Sequence, residues 1–438
     1  MIGNLCYHLN KTYDTNLLDI YDNNIQKEFL NVSLNNRDNI TNKGKKVLMK
    51  LICNHYDESV NKPTATFIGG PKTLSIHWHP VYKKLIYIFG EWHSNSIDCD
   101  KFEKDANATT SLIEDYLYDL MISTDVFLDI FFEFKSYKGG EYPFVPYPPS
   151  RQSELFKKFR KCLQYNTRSD ETCKLARVHY FDIRDNDVNE SNIEENKINI
   201  LWFIFKLEYI LRATKEEKDC VFYVKRVLQK YPKITDLLKE LIQDDIKIVS
   251  AFMKKQLEEN PYIKKEFDKI AHNQLKTSIL TFYADLLSKE TIRILSYIKE
   301  DILIILNHEK ESDDILFNSI YRIELLFGSA MVYFSDVYLL GRMFKDFDMS
   351  EMEEKAYAGS TDQPINAHNI IIYCGNEHAN SYRDFLSTIG FNDIEHTGDL
   401  KEDISNQNPN TPKNCLDMRK IQQPFFTYKF VEPTKNSS

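Results

Sequence analysis

Ile370-Ile-Ile-Tyr-Cys374 followed by Gly375-Asn-Glu-His378, and far upstream Leu85-Ile-Tyr-Ile-Phe89 followed by Gly90-Glu-Trp-His93, are the stretches from which the architecture of this chain can be read. Each is a short apolar run closed by glycine, the pattern of a buried strand ending in a sharp turn, with a histidine three residues beyond the glycine. In open α/β sheets, ligands bind beyond the carboxyl ends of the strands. If the two strands are neighbours in one parallel sheet, His93 and His378 converge on one crevice. Taken singly, either Gly-x-x-His is most simply an ordinary strand-to-loop turn. Taken together, with Glu91 and Glu377 beside them, they favour a site.

Working outward, Thr64 to Ile68, Leu74 to His79 and Lys84 to Phe89 read as short strands broken by Gly69-Gly70-Pro71 and by Pro80 to Lys83, so the first histidine motif ends an N-terminal hairpin. Ser111 to Ile122 has helical spacing and Val126 to Phe132 is again apolar. Strand, helix, strand over this distance is the βαβ pattern, which makes the two strands parallel. Gly139 to Ser150, with four prolines, reads as a surface loop, and Ala176 to Phe181 as another strand. From Glu194 to His308 the texture turns charged and periodic, predicting helices over Trp202 to Arg212, Ile234 to Leu257 and Leu275 to Leu306. One more helix is predicted over Ile320 to Phe344 and another over Ala379 to Thr388, stopped at Gly390, while Phe425 to Phe430 offers a last strand. The expected fold is α/β: a mainly parallel sheet with flanking helices, the N-terminal hairpin and a large all-helical insertion. The organisation reads as an N-terminal lead-in (1–61, with one helix over Lys45 to Tyr56), a first core part (62–193), the helical insertion (194–310), a second core part (311–400) and a C-terminal tail (401–438).

The 438 residues, 42% of them hydrophobic and 13% aromatic, suffice for a substantial core. A formal charge of -9 gives no global attraction to nucleic acid or anionic membranes, so neither is an expected partner. No signal-like or membrane-spanning segment is read, and an intracellular protein is expected. Eight cysteines without a Cys-x-x-Cys pair read as reduced, structural thiols.

The candidate constellation is Glu91 and His93, Glu133 at the end of the second core strand, His179, Asp182 and Arg184 around the third, and Glu377 with His378. Two neutral imidazoles and a carboxylate, here His93, His378 and Glu133, can hold a divalent metal that activates water. Without metal, one histidine acts as general base while the other, or Arg184, stabilises developing negative charge. A third chemistry is axial ligation of haem iron. For Glu133 and for Asp182 with Arg184, a solvent-facing strand residue and a loop ion pair are the plainer readings. His77 and His79 alternate on one strand face as a possible metal pair, though partly buried strand residues are the preferred account. Cys374 reads as a buried strand residue. No P-loop, Gly-x-Gly-x-x-Gly, Gly-x-Ser-x-Gly or His-Glu-x-x-His occurs.

Gly90-Glu-Trp-His93, Asp129-Ile-Phe-Phe-Glu133 and Gly375-Asn-Glu-His378 resemble the superfamily of erythromycin esterases, haem-binding ChaN-type lipoproteins and Tiki metalloproteases. The resemblance implies an α/β core with His93 and His378 in the site, Glu91 and Glu133 assisting, and a preceding helix that bears an arginine, here Arg342. Trp92 stands where the superfamily commonly has Thr or Ala, and a bulky indole there would narrow the pocket that the resemblance implies. Ser335-Asp-Val-Tyr-Leu-Leu-Gly-Arg-Met-Phe344 with the second motif is also similar to uncharacterised proteins of large DNA viruses. The resulting expectation is a hydrolase, esterase- or metallopeptidase-like, acting on a small-molecule or peptide substrate through His93, His378, Glu91, Glu133 and Arg184. The rival expectation is a non-catalytic viral or host-interaction protein that keeps the core and binds through its helical region.

Overall fold

The computed structural model describes residues 63–92, 99, 108–124, 126–135, 151–163, 175–183, 220–242, 246–347, 364–398, 400 and 414–426. The main sheet has six strands in the order β6-β5-β7-β3-β2-β8. These are β2 (Thr73–His79), β3 (Lys84–Glu91), β5 (Leu128–Lys135), β6 (Ala176–Asp182), β7 (Asn369–Gly375) and β8 (Asn392–Thr397). β6, β5, β7 and β3 run parallel; β2 pairs antiparallel with β3, and β8, antiparallel to β2, runs in the direction of the other four. β3 and β7 are direct neighbours, with Gly90 opposite Cys374 and Glu91 opposite Gly375, so the two glycine-closed runs end side by side. β3 and β5 are parallel as the βαβ pattern requires, but β7 lies between them. A smaller sheet joins β4 (Thr110–Leu112), β1 (Phe67–Gly69) and β9 (Cys415–Asp417).

Alternation along the strands sends side chains to two separate cores. Ile86, Ile88, Phe131, Ile370 and Ile372 face the helices that lie between β6 and β7 in sequence. Leu85, Tyr87, Phe89, Ile130, Phe132, Ile371 and Tyr373 face α1 (Ile113–Ser123) and α2 (Arg151–Leu163). Both sides of β3 and β7 are buried, and that is why they read as unbroken apolar runs rather than alternating ones.

Between β6 and β7 the described helices are α3 (Cys220–Lys230), α4 (Lys233–Leu241), α5 (Ile246–Glu259), α6 (Pro261–Phe267), α7 (Asn273–Leu306), α8 (Asp313–Ala330) and α9 (Val332–Phe344). α9 lies on the sheet: Phe334, Val337 and Leu340 share a core with the even-numbered side chains of β3 and β7. α10 (Asn376–Thr388) follows β7 with no intervening loop and ends before Gly390, whose φ of +88° suits glycine.

Several expectations are corrected. The segment Ile234 to Leu257 is two helices, α4 and α5, and Ile320 to Phe344 belongs to α8 and α9, which part at Met331. Cys415–Asp417 forms a strand that was not expected; of the expected strand Phe425 to Phe430, Phe425 and Phe426 form a turn and 427–430 lie outside the described residues. Cys99 and Cys415 form a disulfide across 316 residues of sequence, and Cys162 is also disulfide-bonded, so these thiols are not reduced. The predicted helices over Lys45 to Tyr56 and Trp202 to Arg212 and the Gly139 to Ser150 loop lie outside the described residues. Among the described residues no helix is long and apolar enough to cross a membrane.

Candidate functional site

The carboxyl edge of the parallel strands is shaped first by a missing side chain. A Cβ on Gly90 would fall within the van der Waals shells of Asn376 Oδ1 and Thr73 Oγ1 and 3.2 Å from Ala379 Cβ. Only glycine lets the first turn of α10 settle against the end of β3. Polar contacts fix that turn: Thr73 Oγ1 donates to Asn376 Oδ1 at 2.7 Å, and Arg383 donates to Ser75 Oγ and Thr73 Oγ1, each at 2.8 Å.

His378 stands in that first turn and is 6% exposed. Its Nδ1 is hydrogen-bonded to Asp336 of α9, and its Nε2 lies 3.2 Å from Glu133 Oε1 at the end of β5. Asp336 is fully buried and also accepts from Ser381 Oγ at 2.8 Å and Tyr382 OH at 2.6 Å. Glu133 Oε2 accepts the Gly375 backbone N–H at 2.7 Å, at the positive end of the α10 dipole, and Gln152 Nε2 at 3.4 Å. Burial alone would strip the charge from His378, but Asp336 and Glu133 on either side outweigh it and hold the imidazole well above the usual histidine range. At neutral pH the group is an imidazolium clasped between two carboxylates. It can give a proton through Nε2, and Glu133 can take one.

Of the residues predicted for the site, the fold brings His378 and Glu133 together. Glu91 is 2% exposed and occupies the same edge on the opposite face, where Tyr373 OH donates to it. His93 and Arg184 lie outside the described residues. His179 and Asp182 belong elsewhere. His179 accepts from Arg342 Nη2 at Nδ1 (2.9 Å) and therefore donates from Nε2 to Asp129 (3.0 Å), which Arg177 grips with two bonds of 2.7 and 2.9 Å. Burial first, then the charge of Arg342, lowers His179 to about 3; burial opposes ionisation of Asp129, yet hydrogen bonds from His179 and Arg177 bring it down to about 2. Arg342, the arginine borne by the helix before the final strand, thus anchors α9 to β6. Asp182 accepts from Ser335 Oγ at 3.2 Å and pins the other end of the same helix.

The bland readings of the remaining candidates stand. His77 bonds Ser75 Oγ at 2.8 Å and is lowered to about 3, first by burial and then by Arg383, while His79 Nδ1 caps the turn N–H groups of Val81 and Tyr82. Cys374 is buried against the Phe89 carbonyl, and burial, followed by nearby carboxylates, holds its thiol well above the ordinary range. Among the described residues no group of three or more His, Cys, Asp and Glu side chains is arranged to hold a metal ion. Asp336, which the strand-end motifs do not point to, completes the cluster around His378. Its signal was available as a lone acid within Tyr333-Phe-Ser-Asp-Val-Tyr-Leu-Leu340, a helix apolar on nearly every side. The chain matches no protein-family model, no curated protein and no solved structure.

Proposed function

We propose that this protein is a hydrolase of acyl substrates, esters or amides, with Glu133 as general base and His378 as general acid. The observation that carries the reading is the clasp of His378 between Asp336 and Glu133, nearly buried at the carboxyl edge of parallel strands. Glu133 removes a proton from water, the resulting hydroxide adds to the acyl carbon, and the Nε2–H of His378 protonates the leaving group. Because Glu133 Oε1 and His378 Nε2 are 3.2 Å apart, the proton taken from water can pass back to the imidazole, restoring the resting state. Asp336 keeps the ring oriented and stabilises its charge, the part a buried carboxylate plays beside a catalytic histidine. The reading keeps the hydrolase class implied by the erythromycin esterase, ChaN and Tiki resemblance, without choosing among those chemistries.

The test is turnover of a panel of nitrophenyl esters and N-acyl peptide amides by the wild type, His378→Asn and Glu133→Gln. Losses of about 10²- to 10⁴-fold in kcat for each variant, with far-ultraviolet circular dichroism unchanged, are expected. Wild-type inactivity on every ester and amide, or full activity in either variant, would overturn the reading.

A second reading, a protein that binds a partner through its helical region, has one observation in its favour. Phe222, Ile248, Tyr297, Leu303, Tyr321 and Leu325, all on helices between β6 and β7, are exposed. It would be preferred if Tyr297→Glu with Leu325→Glu destroyed the protein's biological effect while His378→Asn left it intact.

A further inference from the structure

Unpaired polar atoms inside a protein call for an occupant. Three of them are Trp92 Nε1, directly after β3, and Glu114 Oε2 and Arg151 Nε, at the starts of α1 and α2, each buried and without a hydrogen-bond partner. Contacts through Gly70 and Lys72, and through Glu91 and Tyr373, link the three to the same strand end. Arg151 Nη1 meets Glu114 Oε1 at 2.7 Å, a single-point ion pair that leaves Glu114 Oε2 and the Arg151 Nε–H unmatched. Arg151 also packs on Gly70, where a Cβ would lie 3.3 Å from its Cγ and 2.8 Å from Ile113 Cγ2. Lys72, two residues on, bonds the Gly90 carbonyl through its backbone N–H at 2.7 Å and sets its ammonium 4.5 Å from the Trp92 ring centroid. Tyr373, whose hydroxyl is given to Glu91, feels the charges of Glu91, Glu114 and Arg151 together. The cluster joins the proposed reaction centre through the start of α2: Arg151 turns to Glu114, while the next residue, Gln152, reaches Glu133.

The unmatched set is two N–H donors and one carboxylate oxygen. A lone anion would meet Glu114 and Glu91, and a lone cation would meet Arg151 and Lys72. A neutral group that carries an acceptor next to a donor matches all three. We propose that Trp92, Glu114 and Arg151 form a subsite for an amide group of the substrate, the carbonyl oxygen taken by the indole and guanidinium N–H groups and the amide N–H given to Glu114. This rests on the hydrolase reading for its place in a reaction and narrows the substrate to peptide-like amides.

The chain has three tryptophans, so the Trp92 indole N–H resonance can be assigned by its disappearance in Trp92→Phe. The wild type, Trp92→Phe, Glu114→Gln and His378→Asn are titrated with N-acetyl-dialanine amide, following the indole ¹H–¹⁵N signals and, for Trp92→Phe, calorimetric heat. Expected are a saturable shift of the Trp92 signal and binding weakened about tenfold or more in Trp92→Phe and in Glu114→Gln, where an NH₂ would face the ligand's N–H. Binding is expected to persist in His378→Asn. The other indole signals report whether each variant is folded. No shift in the wild type, or unchanged affinity in both subsite variants, overturns the subsite. Amide binding that follows this pattern with no turnover by the wild type would sink the hydrolase reading and leave the subsite standing.

Discussion

A histidine that is charged in the folded state and histidines that are neutral there act on stability in opposite directions. His378 is held above the usual value of 6.5, so it binds its proton more tightly folded than unfolded. Its contribution is complete below pH 6.5 and is lost as pH rises through the folded value. His77 and His179, lowered to about 3, stay neutral while the unfolded chain takes up protons, so each costs stability as pH falls from 6.5 towards 3, by about 1.4 kcal/mol per unit. Urea unfolding followed against pH should therefore show a maximum near 6.5. The alkaline arm, read below about pH 8 where Lys84 and Lys345 begin to titrate, should flatten in His378→Gln. An unchanged alkaline slope in that variant would contradict the clasp. Asp336→Asn keeps the shape of the side chain but not its charge, and should cost about 10²-fold or more in kcat with little change in KM.

Among the elements, the joint between β3 and α10 is the most exacting. Gly90→Ala must displace Asn376, Thr73 or both, and overpacking of this kind costs about 1–3 kcal/mol. A lowered urea midpoint together with lost turnover is expected, because the turn that shifts carries His378. What the amino-acid order reveals here follows from burial. β3, β5 and β7 are buried on both faces and announce themselves as apolar runs, and the glycine-closed ends of β3 and β7 set the two motifs side by side. β8, Asn-Asp-Ile-Glu-His-Thr, is an exposed edge strand with no apolar signature, and β4 and β9 are three residues long. The junction of α8 and α9 is silent because apolar spacing continues through Ala330-Met331-Val332. α2 went unread since only Leu155 and Phe159 of its stripe are fully buried. Glu133 and His378 were legible as strand-end residues. Asp336 reaches them from another element, and strand ends alone could not indicate it.

At the scale of the whole molecule, the disulfide from Cys99 to Cys415 ties the segment after β3 to a strand near the end of the chain. A crosslink closing so long a loop restrains the unfolded state most, and its loss should lower stability by about 3–5 kcal/mol. Cys415→Ser should show that loss as a lowered midpoint in urea unfolding under non-reducing conditions.

The place of β7 has a consequence during synthesis. It lies between β5 and β3 in the sheet, yet it is made only after α9. A chain emerging from the ribosome therefore holds β2, β3, β5 and β6 long before the strand that joins them, with the edges of β3 and β5 that β7 will fill, and the edge of β2 that β8 will cover, still open. Such a nascent intermediate is a natural client for chaperones and prone to aggregate where they are scarce. His378 emerges directly behind the joining strand, so whatever the centre does cannot begin until the sheet is closed.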